Sequence, residues 1–242
     1  MTNSSKNKGK MIIGIILAVV LLVGILVLSV NIKQVTVSGN SKYTDDEIVE
    51  LIFHDKWDWN TVYCYFKDRF RPHEQIPFVE EYKIVFQGIN QVEVIVYEKS
   101  VVGYVSYMSS YMYFDKDGII VESTGTKLDG IPWITGLKFG HIVLHQPLPV
   151  ENQKIFEEIL NLTQVLSMYE IAVDRIQYDS HGQATLHIGE IAVVLGDNSS
   201  INGKIAELND QLPVLQGGAG TLYLDTYDET KGDSWYSFIR KE

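Results

Sequence analysis

The 242-residue chain has a single cysteine, Cys64, which excludes an internal disulfide, so the fold depends on an ordinary apolar core. It also lacks a basic excess, because 20 Lys and Arg stand against 31 Asp and Glu, a formal net charge of −11. Such an acidic body repels phosphate backbones, which argues against a nucleic-acid-binding protein. Its 45% hydrophobic and 21% charged residues are typical of a folded protein and exclude wholesale disorder.

Catalytic motifs are missing as well. The chain contains neither a G-x-S-x-G elbow nor an H-E-x-x-H motif. His141 and His145 flank Ile142–Leu144, a run that predicts a strand, and in a strand this spacing places them about 13 Å apart. Cys64 is predicted to fill the core, and Asp115–Gly118 to form a turn between strands, not a calcium loop. We therefore predict no catalytic residue, no metal, no cofactor and no enzymatic activity.

Residues 11–30 contain no charged side chain. At a rise of ~1.5 Å per residue a helix over this segment is about 30 Å long, which matches the hydrocarbon core of a bilayer. Three lysines precede the segment and the first acid after it is Asp45, so the positive-inside rule predicts a cytoplasmic N-terminus. We predict a cytoplasmic tail at 1–10, a transmembrane helix at 11–30 and an extracytoplasmic bulk. Cleavage near residues 27–29, as in a signal peptide, is the alternative.

The segment 31–99 follows the order β-α-α-β-β. Residues 35–38 alternate between apolar and polar, which is typical of a half-buried strand. Thr44 and Glu47 are spaced for a capping box, in which each side chain bonds the backbone N–H of the other, and Asn60 can cap a second helix. Two strands joined by a hairpin turn are then predicted at Val79–Phe86 and Gln91–Glu98.

The segment 100–227 mixes short strands with two amphipathic helices. The helices are predicted at Asn152–Met168 and at Ile201–Leu212, the second ending before Pro213. The last strand is predicted at Thr221–Asp225, followed by a polar tail at 228–242. Runs of strands with few helices predict an α+β domain, not a parallel α/β domain.

Four motifs in this order carry a family resemblance. They are V-x-V-x-G-N-x-x-Y-T-x-x-E-I at 35–48, VIVYEKSVVGYVS at 94–106, YFDKDGIIVES at 113–123 and IPWITGL at 131–137. With the apolar N-terminal segment, they make essentially the whole chain similar to the FtsQ/DivIB family of bacterial division proteins. The resemblance implies one N-terminal transmembrane helix, a POTRA domain at 31–99 and the mixed-sheet β domain of that family at 100–227.

The resemblance also implies a function. The chain is expected to be a non-enzymatic bitopic scaffold in the cell membrane at the division septum, which docks FtsL-like and FtsB/DivIC-like proteins beside the septal peptidoglycan synthase complex. Docking is by strand addition to an exposed sheet edge. The receiving edge of the family is the last strand of the β domain, which here implies the partner-binding residues Thr221, Leu222, Tyr223, Leu224, Asp225 and Tyr227.

Three other functions stay open at this point. One is a POTRA-bearing component of translocation or outer-membrane assembly, although no second V-x-G-N-x-x-Y-T unit occurs in the chain. An extracytoplasmic cell-wall enzyme is another, for which no acid or His cluster is evident. The third is the ectodomain of a sensor or receptor.

Overall fold

The computed structural model describes residues 3–215, 217–227 and 236–241, with side chains for all of these except 3–12 and 26. The chain forms two compact units, Met1–Glu98 and Lys99–Glu242. Both mix helices with strands, so the architecture is α+β.

The first helix, α1, extends from Asn3 to Ser29. Among the described residues no helix combines the length and the apolar character needed to cross a membrane. This finding contradicts the predicted transmembrane helix at 11–30, and it overturns the predicted fold class with a spanning helix and the single-pass location in the cell membrane.

The remainder of the first unit is a three-stranded sheet with two helices. Its elements are β1 (Gln34–Ser38), α2 (Asp45–Ile52), a 3-10 turn (Lys56–Trp59), α3 (Thr61–Phe70), β2 (Val79–Phe86) and β3 (Gln91–Glu98). The strand order is β1-β3-β2, with β1 parallel and β2 antiparallel to the central β3. The predicted element order for this segment and the bounds of both hairpin strands are confirmed.

Both α2 and α3 begin at an N-cap residue whose side chain bonds the first turn. The Glu47 N–H donates to Thr44 Oγ1 over 3.3 Å, and the Thr44 N–H donates to Glu47 Oε2 over 2.8 Å, which confirms the capping box. Asn60 Oδ1 accepts from the Tyr63 N–H over 3.0 Å, as predicted for the start of α3. Ile48, one turn into α2, is fully buried in the apolar core of the unit.

The second unit contains nine strands and two helices. The strands are β4 (Gly103–Tyr107), β5 (Ser110–Phe114), β6 (Ile120–Thr124), β7 (Trp133–Thr135), β8 (Arg175–Tyr178), β9 (Ala184–Ile188), β10 (Ile191–Gly196), β11 (Gly220–Tyr223) and β12 (Ser237–Arg240). The helices are α4 (Gln153–Met168) and α5 (Ile201–Leu215). All nine strands form one sheet in the order β12-β11-β10-β9-β8-β7-β4-β5-β6.

The prediction that α5 ends before Pro213 is wrong. The helix continues to Leu215, with Pro213 in its last turn. At that position the missing proline N–H removes a single helical hydrogen bond, so the chain continues for two more residues.

Helices α4 and α5 supply much of the apolar core of this unit. Ile159 and Leu162 of α4 and Ile205 and Leu208 of α5 are fully buried. They belong to one cluster with Leu222 of β11. This packing buries one face of β11, whereas β12 is the edge strand of the sheet.

Candidate partner-binding edge

The six predicted partner-binding residues lie on β11 and on the turn that follows it. Thr221, Leu222 and Tyr223 are in the strand, which pairs with β10 in parallel and with β12 in antiparallel orientation. Leu224, Asp225 and Tyr227 follow directly, and the Leu224 N–H still donates to the Val194 carbonyl oxygen of β10 over 2.8 Å. The structure therefore brings all six residues to one end of the nine-stranded sheet.

The two leucines of this set belong to the core. Leu222 and Leu224 are both 0% exposed, in the apolar cluster beneath α4 and α5. Thr221 and Tyr223 alternate with them along the strand and are half-buried on the opposite face of the sheet. Of the strand residues, these two are the ones whose side chains lie outside the apolar core.

Asp225 and Tyr227 pack against glycines of neighbouring elements. A Cβ atom placed on Gly196, at the end of β10, would lie 2.9 Å from the Asp225 Cβ. A Cβ atom on Gly203 of α5 would lie 2.5 Å from Cε1 of the Tyr227 ring. Both contacts are possible because the glycines have no side chain, and they hold the turn after β11 against β10 and α5.

A buried lysine organises the loop between β10 and α5. Lys204 is 0% exposed, and its Nζ donates to the carbonyl oxygens of Leu195 over 2.8 Å and Asp197 over 2.9 Å. Hydrogen bonds from the hydroxyl and the backbone N–H of Ser199 lower the pKa of the Asp197 carboxyl, and the ammonium of Lys204 adds to this effect. The hydrogen bonds of Lys204 and Ser199 therefore fix the loop beside the candidate edge.

Backbone groups of β11 point alternately to its two neighbours. The N–H groups of Gly220 and Leu224 donate to carbonyl oxygens of Glu190 and Val194 on the β10 side. Because successive residues of a strand point their backbone groups in opposite directions, Thr221 and Tyr223 direct theirs to β12. Hydrogen bonding to a further strand at this edge therefore depends on Thr221 and Tyr223.

The strand that occupies this edge lies within the predicted tail 228–242. Thr221 is opposite Ile239, Leu222 opposite Phe238 and Tyr223 opposite Ser237. Residues 228–235 and 242 of the predicted tail lie outside the described residues. The sequence predicted only a polar tail here, because a four-residue strand is too short for its alternation to be recognised.

One cluster of possible metal ligands occurs in the described part of the chain. Ligand atoms of His54, Asp55 and Asp58 lie within 4.8 Å of one another. Lys67 Nζ already contacts Asp58 Oδ1 at 2.7 Å, and the Asp55 N–H donates to Asp58 Oδ2. The buried carboxylate is thus bonded to an ammonium, which repels a second cation.

The two histidines that flank residues 142–144 make separate contacts. His141 Nδ1 lies 2.9 Å from the hydroxyl of Tyr107, and the His145 N–H donates to the Ile120 carbonyl oxygen over 2.7 Å. His145 has a φ of 63°, so it lies in a turn where a strand was predicted. Neither histidine belongs to a cluster of possible metal ligands among the described residues.

No protein-family model matches the chain, and no curated protein matches it.

Proposed function

We propose that this chain is a non-catalytic docking protein of bacterial cell division, which binds partner proteins by strand addition at the β11–β12 end of its nine-stranded sheet. The observation that carries the proposal is the open end of this sheet, where β12 is four residues long and Ile239 is 59% exposed. A sheet edge offers N–H and C=O groups to a partner strand and makes few demands on side chains.

The partners follow from the motifs that resemble the FtsQ/DivIB family. We infer FtsL-like and FtsB/DivIC-like proteins as the strand donors, acting in support of septal peptidoglycan synthesis. The six predicted partner-binding residues lie at one end of the sheet, next to the edge strand β12, which supports this placement. Leu222 and Leu224 contribute by holding β11 in the core, and Thr221 and Tyr223 by pairing with the edge strand β12.

The decisive experiment alters the one glycine that this edge requires. A Cβ atom on Gly220 would lie 2.5 Å from the Ile239 carbonyl oxygen and 2.6 Å from Cζ of Phe238, so Gly220→Val prevents any strand from lying beside it. The matched control is Gly125→Val, because nothing lies within 4 Å of a Cβ atom at Gly125.

Each variant is used to capture FtsL-like and FtsB/DivIC-like proteins from a bacterial lysate, and thermal unfolding checks that the variants are folded. We expect the wild-type chain and Gly125→Val to retain both proteins, and Gly220→Val to lose them. Equal capture by all three chains would place partner binding elsewhere and refute the proposal. Proline at Tyr223 or Leu224 is a poorer test, because the Leu224 N–H bonds β10 inside the sheet.

A further inference from the structure

Strand β12 is attached to the sheet by a small number of interactions. It is four residues long, and Ser237, Ile239 and Arg240 are exposed. Phe238 is half-buried, and it is the residue of β12 that packs against the apolar core. Its neighbour β11, by contrast, holds the fully buried Leu222. An edge strand with so little buried apolar surface separates from its sheet at a far lower free energy than the strands of the core.

The place that β12 occupies has a specific shape. Gly220 has no side chain, and a Cβ atom at this position would lie 2.6 Å from Cζ of the Phe238 ring. Phe238 pairs with Leu222, and its ring packs against the apolar core on that side of the sheet. The edge of β11 therefore carries a slot for one aromatic ring, between Gly220 and the apolar core.

The hydrogen-bonding groups beside the slot belong to β11 and not to β12. Thr221 and Tyr223 present their N–H and C=O groups to whichever antiparallel strand lies there. The Lys241 N–H adds a bond to the Ala219 carbonyl oxygen over 2.9 Å, so the ladder continues by one residue. Any extended segment with an aromatic residue in the Phe238 position can form the same ladder.

We propose that the edge of β11 is the receptor for an antiparallel partner strand with an aromatic residue opposite Leu222, and that β12 is a removable occupant which the partner replaces. This inference rests on the proposed function and specifies the receptor strand and the chemistry of the segment it accepts. In the alternative arrangement, the partner adds to the outer edge of β12 and leaves β12 in place.

The two arrangements predict different peptide binding when β12 is covalently attached to β11. Thr221 and Ile239 are directly opposite, and residues paired in this way have Cα atoms about 5.5 Å apart, a separation that a disulfide spans. In the double variant Thr221→Cys, Ile239→Cys, oxidation locks β12 onto β11 and reduction releases it. The native Cys64 does not interfere, because it is buried and burial raises its pKa to about 12.

The probe is a fluorescein-labelled peptide with the sequence of residues 236–241, YSFIRK, and its binding to the full chain is followed by fluorescence anisotropy. We expect the reduced double variant to bind the peptide and the oxidised form to bind it at least about tenfold more weakly, because the receptor edge is closed. Phe238→Ala weakens the resident strand and should raise the peptide affinity about tenfold over the wild-type chain. The matched control Ile239→Ala removes an exposed side chain and should change it by less than about twofold.

Two results contradict the inference. Equal peptide binding by the oxidised and reduced forms means that the segment binds elsewhere, for example along the outer edge of β12. Absence of binding to Phe238→Ala means that β11 accepts no strand but its own. The proposed function is tested separately: if division partners are captured by the oxidised chain but lost in Gly220→Val, the docking function stands and the replacement of β12 does not.

Discussion

Lys204 Nζ donates a hydrogen bond to the carbonyl oxygen of Leu195 over 2.8 Å, from a side chain that is 0% exposed. The same ammonium bonds the Asp197 carbonyl oxygen, and so closes the loop between β10 and α5 from inside the unit. A buried cation is tolerated only where such acceptors surround it. This lysine determines the path of the chain beside the candidate partner-binding edge.

Replacing this lysine should lower stability strongly. Lys204→Met keeps the length of the side chain but leaves the two carbonyl oxygens without their donor, and we expect a loss of about 3 kcal/mol in the free energy of unfolding. The measurement is urea unfolding followed by circular dichroism. Lys154→Met is the control, because Lys154 is 86% exposed and its pair with Glu158 contributes less than about 0.5 kcal/mol. Similar losses in the two variants would contradict the assigned role.

Gly136 should tolerate no side chain. It has a φ of 89°, and a Cβ atom there would lie 1.8 Å from the Tyr178 carbonyl oxygen at the end of β8. We expect Gly136→Ala to reduce the free energy of unfolding by at least about 3 kcal/mol, because backbone strain and a steric clash act together. Thermal unfolding measures the change. Gly125→Ala, in open space, should leave the unfolding temperature nearly unchanged, and a stable Gly136→Ala would refute the prediction.

Glu98 should make the stability of the first unit depend on acid pH. Burial by itself raises the pKa of Glu98, but hydrogen bonds from the Ser41 hydroxyl and from the backbone N–H groups of Lys42 and Ser41 outweigh it and lower the pKa to about 2. Because the folded-state pKa lies below the ordinary value of 4.5, this stabilisation is complete above about pH 4.5 and is lost as the pH falls towards 2.

We therefore expect Glu98→Gln to lose about 3 kcal/mol at neutral pH and to lose the acid dependence between about pH 5 and pH 2. Urea unfolding at a series of pH values measures both effects. Glu81→Gln is the control on the same sheet, since its side chain is 56% exposed and its partner Lys83 is exposed as well. An unchanged pH profile in Glu98→Gln would show that the network contributes nothing.

Asn60 should link the end of α1 to the start of α3. Its Nδ2 donates to the carbonyl oxygens of Val27 over 2.9 Å and Val30 over 3.0 Å, while its Oδ1 caps α3. Asn60→Ala removes all three bonds at a buried position, so we expect a loss of about 2–3 kcal/mol in unfolding free energy. The control Asn31→Ala affects one exposed bond of 3.4 Å and should change stability by less than about 0.5 kcal/mol.

Local sequence patterns identified most elements of the first unit because they act over a few residues. The capping box of Thr44 and Glu47 and the cap at Asn60 need only three residues of spacing, and both occur as predicted. The hairpin strands Val79–Phe86 and Gln91–Glu98 were found from alternation and turn residues. The bonds from Ser41 and Lys42 to Glu98 span more than 55 residues and could not be read from any local pattern.

Two of the predictions that failed extended a local pattern beyond what it determines. The uncharged run at 11–30 predicted a spanning helix, yet no helix among the described residues meets the length and apolar requirements for crossing a membrane. The Pro213 signal predicted the end of α5, yet the packed apolar face of that helix outweighs one lost hydrogen bond.

The sequence by itself determined the α+β character of the chain, the helix caps and a strand near Thr221, predicted at 221–225 and observed at Gly220–Tyr223, because hydrophobic periodicity and capping chemistry act between near neighbours. Only the tertiary structure decided which sheet positions the strands take. The pairing of β11 with β12 depends on the Phe238 ring packing against Gly220, which has no side chain. No local spacing rule connects these two segments. Strand order and edge occupancy arise from such long-range packing, and they decide where a partner can bind.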